Sequence, residues 1–356
     1  MPSPEEQTLD ATERERAAVA ATSPGQPPRP AVPSMARRLM RPAAGLAAVV
    51  LFQLLFASVY AGVLHHPVPH HAPVAVAGRS PLAQVVSSRG GGTIRLVAEP
   101  TAGAAAAAIR DGKANAAIIA GRHGEILLIQ TAASPGTAAD LTKEFTAASA
   151  ALETPLLIRD LAPLPAADST GLAAFFLLVP WMLGGYAGAT TLGIMLGGVR
   201  SPSPRHAAAR LGVLAGYAAI SGFLGALLFG PALNVVPGYN LALAGVGMLL
   251  VFAAATAGLQ AALGMPGTLV AVIAMVVFGV PTAGQSIATA LLARPWNMIG
   301  QGLPPSAALS AIRSVIYLGG SDLTGPLTVL ATYAATGTLL TLAATARRHH
   351  RAAAAT

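Results

Sequence analysis

The sequence predicts a polytopic α-helical membrane protein with six transmembrane helices and an extracytoplasmic α/β or α+β domain between the first two. Three observations predict it. The 356 residues are 54% hydrophobic and only 10% charged, whereas soluble domains carry about 25% charge. Six long uncharged stretches recur along the chain, and at about 1.5 Å of rise per residue roughly 20 residues cross a hydrocarbon core of about 30 Å. From Leu211 to Ala293 there is no Lys, Arg, Asp or Glu, a run that buried helices of a soluble protein do not sustain.

The spans are expected at Ala43 to Leu64, Leu172 to Gly198, Leu211 to Leu233, Leu241 to Leu263, Thr268 to Ala290 and Pro326 to Thr345. Residues 1–42 form a cytoplasmic tail, disordered by composition through Ser34 with its EEQ, ERER and PGQPPRP runs, and basic at its membrane end. The first span exceeds the apolar core of a signal peptide, so it reads as a retained anchor. Arginines set the orientation. Arg37, Arg38 and Arg41 precede the first span, Arg200, Arg205 and Arg210 separate the second and third, and Arg347, Arg348 and Arg351 follow the last. All fall on one side of a six-span chain, with 12 basic against 5 acidic residues there and 10 against 9 on the other, so both termini, including the tail 346–356, are expected in the cytoplasm.

Charge and cysteine usage exclude several functions. The net charge of +8 comes from scattered basic residues with only 5% aromatics, which does not describe a nucleic-acid surface; the partner is the lipid bilayer. The absence of cysteine excludes disulfides, thiolate metal sites and cysteine nucleophiles. Only Lys113 and Lys143 of the 22 basic residues are lysine, the usage of a high-GC bacterial genome, which places the chain in a bacterial plasma membrane.

The stretch from His65 to Gly171 holds 8 basic and 8 acidic residues and is too long and polar for a connecting loop. Thr93 to Ala98, Ala114 to Ala120, Glu125 to Thr131 and Pro155 to Leu161 read as strands, the middle two joined by a turn at Gly121-Arg122-His123-Gly124. Thr101 to Asp111 is an Ala-rich helix. Thr137-Ala-Ala-Asp140 reads as a capping box opening a second helix, with Leu141, Phe145, Ala148 and Leu152 on one face. The order is βαββαβ, and Gly90-Gly91-Gly92 is a flexible turn. His65, His66, His70 and His71 are the only candidates for a Zn or Cu site. No carboxylate accompanies them and the prolines hold the segment extended, so a polar stalk is preferred and no metal is assigned. Asp160 and Asp168 read as solvated surface.

No hydrolase, zinc-protease or phosphate-loop motif occurs, so neither enzyme activity nor a cofactor is assigned. The spans hold no acidic, basic or imidazole side chain, which argues against ion-coupled transport. Gln53, Ser221, Asn234, Thr256, Gln260 and Gln285 read as interhelical hydrogen-bonding groups. Gly184 and Gly188, Gly193 and Gly197, and Gly212 and Gly216 have the spacing of close helix contacts, within the chain first and at a homodimer seam second. Pro180 and Pro281 are expected to kink spans two and five. The outer hairpin 291–325 should carry a helix from Pro304-Pro305 with Leu309, Ile312 and Ile316 apolar and Ser310, Arg313, Ser314 and Tyr317 opposite. Such a helix would lie in the outer interface, anchored by Trp296 and Tyr317.

This order of parts resembles the ABC-2-type permeases, in the branch of phage-infection-protein-like membrane proteins with a large first external domain. The residues that carry the resemblance are Leu164-Pro165-Ala-Ala-Asp168-Ser-Thr-Gly171, Leu183-Gly184-Gly185-Tyr186, Phe278-Gly-Val-Pro281-Thr-Ala-Gly284-Gln285, and Leu303-Pro304-Pro305 through Ile316-Tyr317-Leu-Gly-Gly320. The resemblance implies an export permease for a hydrophobic or amphiphilic substrate, usually dimeric and powered by a separate ATP-binding subunit. It also implies a coupling contact in the basic loop with Arg200, Arg205 and Arg210, although that Ser-Pro-Ser-Pro loop has no evident coupling helix. The alternative is a non-transporting envelope protein whose external domain is a receptor or scaffold.

Overall fold

A computed structural model describes residues 35–64, 69–89, 92–233 and 238–354. The N-terminal tail through Ser34, His65, His66, Gly90, Gly91 and Asn234 lie outside them. The chain divides into one unit through Gln53 and a second from Leu54 onward. Helix α1 is Met35–Leu64.

The insertion after α1 folds as a five-stranded sheet. Its strands are β1 (Ala72–Ala77), β2 (Ile94–Glu99), β3 (Ala116–Gly121), β4 (Gly124–Ile129) and β5 (Leu156–Asp160), in the order β2-β1-β3-β4-β5. β1 runs parallel to both neighbours, β4 antiparallel to β3 and parallel to β5. Successive side chains on a strand point to opposite faces. On one face Ala75, Ala77 and Ala117 meet Ala105, Ala108 and Ile109 of α3 (Ala102–Arg110). These small residues let helix and sheet approach closely. Helices α2 (Pro81–Arg89) and α4 (Pro135–Leu152) pack on each other, and the fully buried Leu82, Leu141 and Phe145 belong to them.

The four strands expected here form, and the Arg122-His123 turn joins β3 to β4 as anticipated. The sequence missed β1, an interior strand of the sheet, together with α2. Pro67, Pro69 and Pro73 disguise the first, since proline cannot donate to a ladder, and α2 is short and weakly patterned. The capping box was misplaced: the N-cap of α4 is Ser134, Pro135 opens the helix, and the Ser134 and Thr137 hydroxyls pair at 2.8 Å. Leu141, Phe145 and Ala148 are buried as expected, while Leu152 is exposed.

The rest of the chain is helical. Four segments are long and apolar enough to cross a bilayer: Ala173–Met195 (α5), Pro204–Gly230 within α6 (Pro204–Leu233), Asn240–Leu263 within α7 (Gly238–Leu263), and α11 (Thr324–Ala353). Shorter apolar helices cover Val50–Leu64 and Met265–Gly279, so a passage of six spans is not established. The helix expected over Thr268 to Ala290 is the clearest departure. α8 (Met265–Val272) continues as a π-helix only to Gly279. Pro281 then starts a single 3₁₀ turn that ends at Gly284, whose φ of +92° is left-handed. Proline removes a donor and clashes with the preceding turn, and the left-handed residue reverses the path. Pro281 therefore ends a helix rather than kinking one. Short helices α9 (Trp296–Gly302) and α10 (Pro304–Tyr317) follow.

α7 is the centre, packed against α5, α6 and α11. Its closest neighbours meet through glycines the spacing rule did not select. A Cβ on Gly222 of α6 would collide with the Val246 amide nitrogen, and one on Gly258 would lie 2.7 Å from the Gly337 carbonyl oxygen of α11. Of the expected pairs, Gly184 and Gly188 receive Tyr217 and Gly193 receives Val199 and Arg210, but Gly212 and Gly216 have nothing within 4 Å. Substituting Gly258→Val should wedge α7 from α11 at a cost of about 1–3 kcal/mol. Gly212→Ala should leave the unfolding midpoint in detergent unchanged or raised; equal losses in both would contradict this packing.

Candidate functional site

The break between Gly279 and α9 places an irregular segment inside protein, and most of its residues from Val280 to Leu292 are buried. Backbone freed from a helix at membrane depth is tolerated only where other groups satisfy it. The satisfying group here is Arg313 of α10, which is 5% exposed. Its Nη1 donates to the Gly284 carbonyl at 2.7 Å and its Nη2 to the Gln285 carbonyl at 3.0 Å. Nη2 also reaches Gln285 Oε1 at 3.4 Å, and Nη1 reaches the Ala133 carbonyl of the sheet domain at 3.5 Å. Nε is buried without a partner. Burial holds the guanidinium down at about 10, partly opposed by the charges of Tyr317 and Asp168.

One turn further along α10, the Tyr317 hydroxyl donates to Asp168 Oδ2. Asp168 also accepts the Leu172 and Ala173 amides at 3.0 and 3.2 Å, so it caps α5 where the helix dipole favours negative charge. Burial first, then the hydrogen bond and charge of Asp168, push the Tyr317 phenol up. The sheet domain meets the broken segment at further points. The Ala288 amide donates to Thr137 Oγ1 at 3.3 Å and the His70 amide to the Leu291 carbonyl at 2.8 Å. A Cβ on Gly136 would collide with the Ser286 carbonyl oxygen. On the α10 side, Thr289 Oγ1 donates to the Thr282 carbonyl and accepts from Ser306, both at 2.9 Å.

Several motif positions thus converge. Asp168 and Tyr317 bond, Gly284 and Gln285 hold Arg313, and Pro305 packs so closely on Gly279 that a Cβ there would lie 2.6 Å from its ring. Gly171 adopts a left-handed φ of +66° against Pro135, while Gly184 and Gly185 sit along α5 against Leu249 and Phe252. α10 does not lie on a surface as its pattern suggested. Arg313 and Ser314 of the polar face are buried, Tyr317 is half-buried and only Ser310 is exposed. Asp168, expected on solvated surface, is 8% exposed. Asp160 braces a loop by accepting the Thr131 and Ala162 amides at 3.3 and 3.0 Å.

A second buried cation closes the far end of the bundle. Arg210, expected in a coupling loop, lies within α6 and is 2% exposed. It donates to the Val199 carbonyl, and at 2.7 Å to both the Ala189 carbonyl and Gln260 Oε1. Gln260 Nε2 in turn donates to Thr190 and Thr268, each at 2.9 Å, so the interhelical role expected of Gln260 is what it performs. Apolar neighbours in sequence gave no hint that Arg210 folds inward. Arg200 and Arg205 stay exposed. Arg200 reaches the Ala262 carbonyl at 3.4 Å and Arg348 the Ala261 carbonyl at 2.5 Å, so three separated arginines gather at one end of α7, opposite the sheet domain.

Among the described residues no group of three His, Cys, Asp or Glu could hold a metal ion. What the arrangement does chemically is fix irregular backbone in place and join it to the sheet domain. No family model, no curated protein and no solved structure matches the chain.

Removing the guanidinium with Arg313→Met should cost about 2–4 kcal/mol by leaving buried carbonyls unpaired and expose residues 280–295 to limited proteolysis. Arg313→Lys should restore only part, lacking the planar fork; full protection in the Met variant would contradict the role. A raised phenol pKa stabilises the fold fully below the ordinary tyrosine value of about 10 and progressively less above it. The stability margin of the native chain over Tyr317→Phe should therefore be constant up to about pH 10 and narrow above, which denaturation in detergent at several pH values will measure.

Proposed function

We propose that this chain is the membrane subunit of an ABC-2-like exporter. It would move a hydrophobic or amphiphilic substrate outward across a bacterial plasma membrane, powered by a separate ATP-binding subunit. The observation that carries the reading is the broken helix after Gly279, followed by α9 and α10 folded back into the bundle. Discontinuous helices sheltered by neighbours are how membrane transporters build sites at depth. Asp168, Gly284, Gln285, Pro305 and Tyr317, from three of the four motifs that suggested the family, meet around that break. In this reading α1, and α8 together with the broken segment after it, complete six crossings, the gathered arginines mark the Leu263 end of α7 as cytoplasmic, both termini face inward, and a homodimer is the working assembly. The chain itself performs no catalysis.

The exposed tip of the basic loop, at Arg200 and Arg205, is the surface left for an ATPase once Arg210 is assigned to the interior. The test is purification of the tagged chain from its native membrane with identification of its partners, alongside the export profile of a deletion strain. A co-purifying ATP-binding subunit and lost export of an amphiphile are expected. An unchanged profile with no such subunit would leave the receptor or scaffold reading instead. Because the chain lacks cysteine, Arg122→Cys and Arg205→Cys provide single labels. An impermeant maleimide should reach the first in intact cells and the second only after lysis.

A further inference from the structure

A cavity of about 650 Å³ lies where the sheet domain meets the segment that leads into α9. It is lined by His70, His71, Arg95, Arg294 and Asn297 together with the backbone around Leu291. The His70 amide on the Leu291 carbonyl, at 2.8 Å, fixes the two walls to each other. Arg95 projects from β2 and Arg294 from the stretch before α9; both are exposed, and neither has an ion-pair or hydrogen-bond partner among the described residues. No Asp or Glu lines the cavity. Two guanidiniums therefore face one concave site with no carboxylate to neutralise them, where an anion would gain charge-assisted hydrogen bonds from both.

The position of the cavity narrows the ligand. Trp296 and Met298 flank Asn297. The Trp296 ring approaches Gly62 of α1, where a Cβ would lie 2.9 Å from it, and Met298 is 63% exposed. α1 ends at Leu64, itself exposed. A tryptophan at the end of an apolar helix marks the water-to-hydrocarbon boundary, so the cavity sits at headgroup level with apolar surface directly below it. Guanidiniums bind phosphate through paired N–H groups.

We propose that this cavity binds the phosphate of an anionic amphiphile whose chains run along α9 and the end of α1. The proposal does not depend on transport; it holds equally for an exporter, as a place where an anionic substrate or lipid rests, and for a protein that exports nothing.

The test uses the full chain in detergent. Native mass spectrometry follows competition between phosphatidylglycerol and phosphatidylcholine, with glycerol 3-phosphate as the soluble probe. Phosphatidylglycerol should be retained in preference. Arg95→Gln or Arg294→Gln should each weaken that retention about 5-fold and the pair about 25-fold, with lipid-free unfolding unchanged. Arg122→Gln, an equal charge loss at the β3–β4 turn, should have no effect. Glycerol 3-phosphate bound in place of the lipid, and lost in the double variant, would support the same phosphate chemistry from a soluble source. Retention by the double variant equal to that of the native chain, or equal weakening by Arg122→Gln, would overturn the proposal.

Discussion

The fold depends on a guanidinium that takes the place of a helix. Once Pro281 and Gly284 end the ladder begun at Met265, the carbonyls of Gly284 and Gln285 have no intrahelical donors, and burying them unpaired would cost about 1–3 kcal/mol each. Arginine alone among side chains offers five donors in a planar fork. Arg313 reaches both carbonyls from one position on α10 and has capacity left for Ala133 of the sheet domain. The same bonds that satisfy the unwound segment therefore pull α10 inward and bring the sheet domain down onto it. Asp168 and Tyr317 complete the arrangement by tying the start of α5 to the end of α10.

Arg210 uses the same chemistry at the opposite end. The carbonyls of Ala189 and Val199 belong to the last turns of α5 and the loop beyond it, where the helix dipole favours a cation. Neither arginine has a carboxylate within ion-pair distance among the described residues. Both are carbonyl-bound cations, each joining three or more elements, and between them α7 approaches α6 and α11 at glycines. A bundle fixed at its ends and smooth along its length holds its irregular segment firmly while leaving its outer helices, α6 and α11, broadly exposed to the surroundings. The export reading draws on that division between a braced core and an accessible exterior.

What could be read from sequence followed the strength of local signals. Apart from the fifth, the long apolar runs are where the long helices are, because burying a charge in hydrocarbon is costly enough to shape composition over the whole length of a span. Strands β2 to β5 and the turn between β3 and β4 announced themselves by alternation and glycine. β1 did not, because its membership of the sheet is decided by two parallel neighbours far along the chain, which override the prolines before it. The amphipathic pattern of α10 was real but misread. A polar stripe faces water only when no buried backbone needs it, and here the carbonyls of a distant segment did.

By itself the sequence determined where the long apolar helices lie and how the arginines cluster along the chain, since these follow from the transfer of individual residues between water and oil. Only the tertiary structure decided that the fifth apolar stretch breaks, that Arg210 and Arg313 turn inward, and that Arg95 meets Arg294 across a shared cavity. Each of these depends on carbonyls, amides and charges brought together from distant positions, as when Arg313 reaches Ala133, and no local pattern encodes which of them will meet.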